Sequence, residues 1–386
     1  MASDTTVEIT VKEVALNSLR IDDANIQYID MATGQRLIEA SAINIGLNDF
    51  WLHNTEGDTL SHELELGDAS IEMSSGMMEL PGGFYTMKTG ELMISYADGS
   101  FSLDSFEMIP AYPKGTFGKK FGKQTDRFDI TAGNITIEGI QFDSLLNKKF
   151  IADEIRLSTP HADICRDKRV ARDMSIFPKL FQTSLAQLPI EVYVPSVKVS
   201  NALVDYQEIV EGSNKPGGVI IGNLDMIIAG ACNYPDSIKN GQALMVNAKG
   251  MLMGKSEMQV YFYLPVGNST EYFTFHGSTA PFPATNLNPL LAPLAFVEAT
   301  DGTINSTHFY AMAMNDTTVG RLEFKYQDLN VAVLKKKKEN EGIEHENKFL
   351  SFLAMTAIHK NNPHANKPVR IASMSFTRDR NKGFFN

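Results

Sequence analysis

The alternation of apolar and polar residues changes phase inside the segment LRIDDANIQYID, residues 19–30. Leu19 and Ile21 are followed by Ala24, Ile26 and Tyr28, so the apolar positions move from odd to even numbers. A flat strand with this pattern would turn its apolar side chains to the opposite face of the sheet. A β-bulge inserts one residue, so it would keep these side chains on one face and bend the strand.

The same phase change recurs along the chain. Close copies are LELGDASIEM at 64–73, ITIEGIQF at 135–142 and VKVSNALVDYQE at 197–208, and a looser copy is IRLSTPHADI at 155–164. In the close copies the step falls at a small or polar pair, namely Asp22-Asp23, Gly67-Asp68, Glu138-Gly139 and Ser200-Asn201. A two-residue hairpin turn is the alternative at such pairs, but it leaves very short strands. We therefore favour bulged strands that each keep one apolar face.

Most of the remaining chain consists of β-rich runs separated by Gly, Asn, Asp and Pro. Residues 174–188, 345–360 and, more briefly, 286–296 favour helix instead. The sequence predicts a mainly β fold: an elongated, curved antiparallel sheet, shaped like a taco or half-barrel, with an apolar groove and a few short helices. We expect one β-repeat domain at 1–334, with sub-blocks 1–110, 111–215 and 216–334. A basic tail at 335–386 would carry the helix near 345–360.

The apolar residues of the bent strands are the candidates for the lining of the groove. An open groove would bury acyl chains at about 0.8 kcal/mol per CH₂ group, whereas a closed one would be filled by the protein's own side chains. The 18 methionines suit either a lipid surface or an ordinary core. The lining candidates are Leu19, Ile21, Ile26, Tyr28, Leu64, Leu66, Ile71, Met73, Ile135, Ile137, Ile140, Phe142, Val197, Val199, Val204 and Tyr206.

The repeat resembles a strand motif of a known family. LRIDDANIQYID and VKVSNALVDYQE share the pattern apolar-x-apolar-x-[Asp/Asn]-Ala-x-apolar-x-Tyr-x-acid, which is similar to the repeat of the AsmA-like bacterial envelope proteins and their TamB-related repeat fold. NLNPLLAPLAFVEATDGTINSTHFYAMAM, followed by VGRLEFKYQDLNVAVLKKKK, resembles the closing region of AsmA-like and DUF748-type proteins. The likeness extends over most of the chain, from residue 9 to residue 340.

The resemblance implies a setting and a role. Such proteins are held in the inner membrane of Gram-negative bacteria by an N-terminal helix, and they project a curved sheet into the periplasm. The helix is absent from this sequence, and we expect it to precede residue 1 in the full-length protein. They are linked to lipid traffic and outer-membrane biogenesis, which implies phospholipid or another acyl lipid, and other envelope proteins, as partners. Strands spaced about 4.8 Å apart make this chain short for a bridge between membranes. We therefore expect lipid binding or assembly rather than a conduit.

Basic residues concentrate near the C-terminus. Beside anionic headgroups each would contribute about 1 kcal/mol, although a solvated tail explains them equally well. The net charge of −11 argues against nucleic acid as their partner. The membrane-surface candidates are Lys335, Lys336, Lys337, Lys338, Arg378, Arg380 and Lys382.

Signatures of catalysis are weak, so we predict no enzymatic activity, no cofactor and no metal site. GMLMGKS at 250–256 is one residue short of a phosphate-binding loop, and its Met-Leu-Met run favours a strand. His359 and His364 have no companion ligand, and Cys165 and Cys232 match no metal or redox spacing, although they could form a disulfide.

Two other functions compete with lipid binding. One is a structural envelope-assembly module with a self-filled core and protein partners. The other, a carbohydrate binder or polysaccharide-active enzyme, needs exposed aromatic side chains, and Trp51 is the single tryptophan of the chain.

Overall fold

The computed structural model describes residues 13–54, 62–213, 215–315, 317–334, 359–377 and 379–382. The chain is 60% strand and 11% helix, and its strands form one large curved sheet. The prediction of a mainly β protein with a curved sheet and a few short helices is confirmed.

The secondary structure elements of the described residues are as follows. The first strands are β1 (Glu13–Ile29), β2 (Arg36–Asn54), β3 (His62–Met73), β4 (Ser75–Glu79), β5 (Tyr85–Thr89), β6 (Leu92–Ser95), β7 (Ser100–Leu103), β8 (Phe106–Pro110), β9 (Asp126–Ala132), β10 (Ile135–Glu138), β11 (Lys149–Ile151), β12 (Glu154–Ser158) and β13 (His161–Asp167). The later strands are β14 (Glu191–Ile209), β15 (Gly217–Cys232), β16 (Ala243–Leu252), β17 (Ser256–Pro265), β18 (Phe273–Thr279), β19 (Phe282–Pro283), β20 (Val297–Met314), β21 (Thr317–Val333) and β22 (Ile371–Thr377). The helices are α1 (Lys114–Phe121), α2 (Phe142–Leu146), α3 (Phe181–Ala186), α4 (Pro235–Lys239) and α5 (Asn288–Ala295), with a 3₁₀ turn η1 (Ala284–Leu287) before α5.

The sheet is built from long strands that stack side by side. Between β2 and β14 it divides into two columns of short strands, β3–β6–β7–β10–β12 and β4–β5–β8–β9–β13, and both columns pair with β2 at one end and with β14 at the other. From β14 the order continues through β15, β16, β17, β18, β20, β21 and β22. Residues 371–377, which the sequence analysis placed in the tail, thus supply the last strand.

The sheet is mixed rather than wholly antiparallel. β11, β12 and β13 all run parallel to β14, because the connection from β13 to β14 crosses back to the same end of the sheet. This crossover is the segment 174–188 that the sequence predicted as helix. Only Phe181–Ala186 is helical there, since Pro178 removes a backbone donor and disfavours helix in the residue before it.

A crease crosses the first part of the sheet, where successive strands are bulged or interrupted at the same level. Its residues are Asp23 in β1, Ala42 in β2, Ser74, Gly90, Asp104, Gly133 and Thr159 between the short strands, Asn201 in β14 and Asn223 in β15. Backbone hydrogen bonds follow the crease, from Ser74 N to Ser41 O at 3.1 Å and from Thr159 N to Ser200 O at 2.8 Å. The strands therefore bend together rather than one by one.

The bulges expected at Asp22-Asp23 and Ser200-Asn201 are present. The register of β1 with β2 shifts on each side of Ala24, and that of β14 with β15 shifts on each side of Ala202. Asp23 and Asn201 both have a φ of 52°, in the left-handed region that Asp and Asn tolerate better than most residues. Each paired strand gains one residue, so the apolar side chains before and after the bulge stay on one face.

Each of these two bulges is stabilised by the same kind of side-chain hydrogen bond. A side-chain oxygen of the neighbouring strand accepts from the bulged residue: Asn44 Oδ1 from Asp23 N and Asp225 Oδ1 from Asn201 N, both at 2.9 Å. The bulge removes the backbone N–H from the regular ladder, and the neighbouring Asn or Asp replaces the lost acceptor.

Removal of this acceptor is expected to destabilise the fold. Asp225→Ala leaves Asn201 N without its side-chain partner, and we expect a loss of about 1 kcal/mol in the free energy of unfolding, measured from urea denaturation. Asp236→Ala is the matched control, because its carboxylate is 90% exposed and its ion pair with Lys239 lies at the surface, where such a pair contributes little. Equal midpoints for the two variants would contradict the assigned role of Asp225.

Two other copies differ from the expectation. The register of β3 with β2 does not shift across Gly67-Asp68, and at that level it is Asp49 of β2 that has a positive φ, 50°. The copy at 135–142 is not one bulged strand, because β10 ends at Glu138 and the chain turns at Gly139, with φ 69°, into α2. In the looser copy the step at Thr159-Pro160 is the crease itself, between β12 and β13.

Several short helices and loops pack on the sheet and form its buried clusters. Leu180 and α3 pack with Leu244, Leu264 and Phe273, and η1 packs with Phe282, Ile304 and Tyr326. The helical prediction for 286–296 is confirmed by η1 and α5, whereas the predicted helix at 345–360 falls almost wholly outside the described residues.

Candidate functional site

One row of apolar side chains crosses the whole sheet. Directly paired residues on adjacent strands lie on the same face, so the register can be followed from the first strand to the last. The resulting apolar row is Ile21, Ile45, Ile71, Ile94, Phe101, Ile137, Ile155, Val197, Ile228, Val246, Phe262, Phe275, Ala311, Gly320 and Met374. No member is polar or charged, and each of fifteen adjacent strands contributes one residue to the row.

A second row runs on the other side of the crease. It consists of Tyr28, Ile38, Met78, Met87, Met108, Ile130, Ala162, Val204, Ile221 and Leu252. Because the bulges preserve the face across the crease, the two rows form one apolar face of the sheet. On the opposite face, one line of paired residues beside the start of the apolar row is small or polar: Arg20, Gly46, Ser70, Ser95 and Ser100.

The apolar face is uncovered over the first strands. Among the described side chains between residues 13 and 102, Ile43 is the single buried hydrophobic one. Ile21 is 38% exposed, Ile71 36% and Tyr28 59%. A contiguous exposed apolar surface of this kind marks a binding site more often than scattered single residues do.

The later part of the same face is covered by the protein itself. Ile228, Val246, Phe262 and Phe275 of the apolar row pack against the cluster that contains Leu180. Phe101, Ile137, Ile155 and Val197 pack against the cluster of Ile140, Ala152 and Val194. The row is therefore self-filled in its middle and late parts and open at its beginning.

The structure brings most of the predicted lining residues onto this face. Ile21, Ile71, Ile137 and Val197 are members of the apolar row, Tyr28 and Val204 belong to the second row, and Met73, Ile135 and Val199 form a neighbouring row with Leu92, Leu103, Leu157 and Met226. Leu19 pairs with Leu47, Ile26 with Ala40, and Tyr206 with Ile164 and Val219.

The remaining predicted lining residues lie elsewhere. Ile140 is 8% exposed in the loop after β10, where it packs with Phe142 of α2, so these two residues cover the sheet rather than line a strand. Leu66 pairs with Phe50, and the side chain of Leu64 lies outside the described residues. Row members such as Ile94 and Phe262 were missed, because the alternation around them carries no phase change to draw attention to them.

Charged side chains close the far rim of the apolar face. Arg166 holds Asp126 through two hydrogen bonds, Nε to Oδ1 at 2.7 Å and Nη2 to Oδ2 at 2.5 Å. Tyr206 donates to Glu208 Oε1 at 2.8 Å, and Lys168 Nζ lies 2.6 Å from Glu208 Oε2. Burial raises the pKa of Tyr206 above its usual range, so this hydroxyl stays protonated and remains a donor. These charged and polar groups therefore pair with one another along the rim.

Two of the predicted membrane-surface residues can be placed. Residues 379–382 lie against the segment 172–177, where Arg172 Nη1 is 3.0 Å from Asp379 Oδ2 and Asn381 Nδ2 donates to Met174 O at 2.7 Å. Lys382 Nζ is 3.9 Å from Asp379, and Arg380 lines a small cavity with Phe177 and Lys179. Lys335, Lys336, Lys337, Lys338 and Arg378 lie outside the described residues.

The other chemical candidates have ordinary environments. Cys165 and Cys232 are free, buried thiols, and burial raises the pKa of Cys165 to about 11, which keeps it protonated and unreactive. The rings of His359 and His364 stack with their centroids 4.8 Å apart. Within the described ranges, no group of three or more His, Cys, Asp or Glu residues is arranged to hold a metal ion.

Comparison of the chain with protein-family models and with curated proteins finds no match. In the part of the chain that the structure describes, no helix combines the length and the apolar character needed to cross a bilayer.

Proposed function

We propose that the apolar face binds the acyl chains of lipids. The observation that carries this proposal is the apolar row, which crosses fifteen strands without a polar side chain. In its first part Ile21 and Ile71 are exposed, and Ile45 and Ile94 are half-buried. Acyl chains need no directional polar partners, and each buried CH₂ group contributes about 0.8 kcal/mol. An uncovered row of isoleucines fits such a ligand better than it fits a sugar or a nucleotide.

The sequence resemblance supports the same role. A lipid-binding or lipid-transport domain of the AsmA-like kind, anchored in the inner membrane and exposed to the periplasm, would contribute to outer-membrane biogenesis. In this proposal the ligand is a phospholipid or another acyl lipid, and no catalytic step is involved.

Lipid occupancy is the direct test. We expect the gently purified chain to carry lipid in native mass spectrometry, and the extracted, lipid-free chain to take up a fluorescent fatty acid saturably. The proposal would be excluded if the purified protein carried no lipid and the lipid-free protein also failed to take up the fatty acid.

A second role is favoured by the covered part of the face. Leu180 is 1% exposed and Leu264 3%, so here the sheet is filled by its own side chains as a structural module would be. If this role extends to the first strands, a protein partner rather than lipid covers Ile21 and Ile71. Failure of lipid uptake together with specific protein binding at these positions would favour the assembly role.

A further inference from the structure

A cavity of about 540 Å³, lined by both apolar and polar residues, lies away from the apolar face, beside strand β15. The pairing of β16 with β15 ends at Ile221, so on that side β15 residues 217–220 pair with none of the described strands. The turn after β16 and the η1–α5 segment occupy the gap instead. The cavity is partly open to solvent, is bounded by these three parts of the chain and has the size of many small-molecule sites.

The walls of the cavity are fixed by specific contacts. Met253 N donates to Ile220 O at 2.7 Å and holds the turn against β15. Gly217 sits directly under α5, where a Cβ atom would come within 2.6 Å of Leu294 Cγ and 2.8 Å of Pro293 Cβ. The close approach therefore requires glycine and places Pro289, at the start of α5, in the cavity wall.

Unpaired donors converge on this cavity. Lys215 and Lys255 both line it, and neither ammonium group has an ion-pair partner among the described residues. Asn286 also lines it, and its Nδ2 is buried with no hydrogen-bond acceptor from the described chain. The hydroxyl of Thr285 adds a further polar group. A buried donor without an acceptor is costly, and an oxygen-rich ligand would satisfy it.

The carboxylate in the cavity is already engaged. Gln207 Nε2 donates to both oxygens of Asp205, at 3.1 and 3.0 Å, and Gln207 Oε1 accepts from Lys114 Nζ at 3.1 Å. Lys114 Nζ also lies 2.7 Å from Asp163 Oδ1. Among the residues that line the cavity, two lysines, Lys215 and Lys255, thus stand beside one carboxylate, that of Asp205, which leaves a net charge of +1. The cavity favours an anion.

We propose that this cavity binds a phosphoryl group, held by Lys215 and Lys255 and oriented by Asn286. Lysine ammonium groups bind phosphate as mobile point charges, and the Asn286 amide would donate to one phosphoryl oxygen. The source is either a soluble phosphate ester or the headgroup of a phospholipid. The site does not depend on acyl binding by the apolar face, since a phosphate ester without acyl chains carries the same group.

The segment GMLMGKS, residues 250–256, forms the end of β16 and the turn that carries Lys255. Gly250, Met251 and Leu252 belong to β16 and no helix follows, so the segment is not a phosphate-binding loop of the nucleotide-binding kind. The hairpin turn nevertheless delivers Lys255 to the cavity. The lysine therefore serves the proposed phosphoryl site from a turn, without the helix N-terminus of that motif.

Titration calorimetry with sn-glycerol 3-phosphate tests the site, with glycerol as the uncharged comparison. We expect saturable binding of the phosphate ester and none of glycerol. The double variant K215Q/K255Q should weaken binding at least tenfold, and Asn286→Ala several-fold. K88Q/K239Q, the matched control, removes the same charge from two exposed lysines outside the cavity and should leave binding unchanged. Absent binding in the wild type, or equal weakening in both double variants, would overturn the proposal.

Short-chain lipids distinguish the two sources. Dihexanoyl phosphatidic acid below its micelle concentration should bind more tightly than glycerol 3-phosphate if a headgroup is the ligand, and no more tightly if a soluble ester is. Dihexanoylglycerol has the same acyl chains without the phosphoryl group and reports on the apolar face alone. Its failure to bind counts against acyl binding, whereas loss of glycerol 3-phosphate binding in K215Q/K255Q remains the measure of the phosphoryl site.

Discussion

Ile304→Ala is expected to lower the free energy of unfolding by about 3 kcal/mol. Ile304 is 1% exposed and packs in one cluster with Phe282, Tyr326 and Leu329. Loss of its three side-chain carbons removes buried apolar surface and leaves a cavity that the neighbouring strands β20 and β21 can close only in part. The measurement is the free energy of unfolding from urea denaturation followed by circular dichroism.

The cluster around Ile304 also holds the C-terminal segment. Tyr326 exchanges backbone hydrogen bonds with Asn362, and its hydroxyl accepts from Arg370 Nη2 at 2.8 Å. We therefore expect the cavity left by Ile304→Ala to weaken also the packing of the C-terminal segment against Tyr326. Ile371→Ala is the matched control, because that isoleucine is 52% exposed and its truncation should cost less than about 1 kcal/mol. Similar losses in the two variants would contradict a core role for Ile304.

Local patterns predicted the bends of the sheet where the bulge is encoded by adjacent residues. Asp22-Asp23 and Ser200-Asn201 combine a phase change with residue types that tolerate a positive φ, and both are bulges. The same phase change at Glu138-Gly139 has another cause, since Gly139 ends a short strand and leads into α2. An alternation pattern does not distinguish these outcomes, because both place a flexible residue between two apolar pairs.

The apolar row could not be predicted from one strand at a time. Ile71 pairs with Ile45 and Ile94, which are 26 and 23 residues away, and these distances are set by loops and by the division of the sheet into two columns. The parallel pairing of β13 with β14 depends on a crossover that contains little helix. Long-range register is therefore what converts separate amphipathic strands into one continuous face.

The cavity beside β15 was missed for the same reason. Lys215, Lys255 and Asn286 come from a loop, a hairpin turn and a 3₁₀ turn that are distant in sequence. Each of them reads as an ordinary surface residue by itself. Their convergence follows from the early end of β16, which leaves room for α5 to pack against Gly217.

Ile71→Asp is expected to reduce fatty-acid uptake at least tenfold. Ile71 lies between Ile45 and Ile94 in the exposed part of the apolar row, where no buried cluster covers it. A carboxylate at this position would lose water on contact with an acyl chain and gain no polar partner, at a cost of several kcal/mol. Uptake of a fluorescent fatty acid by the lipid-free chain, measured as a function of concentration, gives the change in affinity.

Ser70→Asp provides the control for this effect. Ser70 precedes Ile71 on the same strand, faces the opposite side of the sheet and pairs with Gly46 and Ser95, so the added charge stays in water. Circular dichroism and urea denaturation should show both variants folded, because Ile71 is already 36% exposed and is not a core residue. A tenfold loss for Ile71→Asp alone would place the ligand on the apolar face. Unchanged uptake in a folded Ile71→Asp variant would show that lipid does not reach this part of the row, and would favour a protein partner over the first strands.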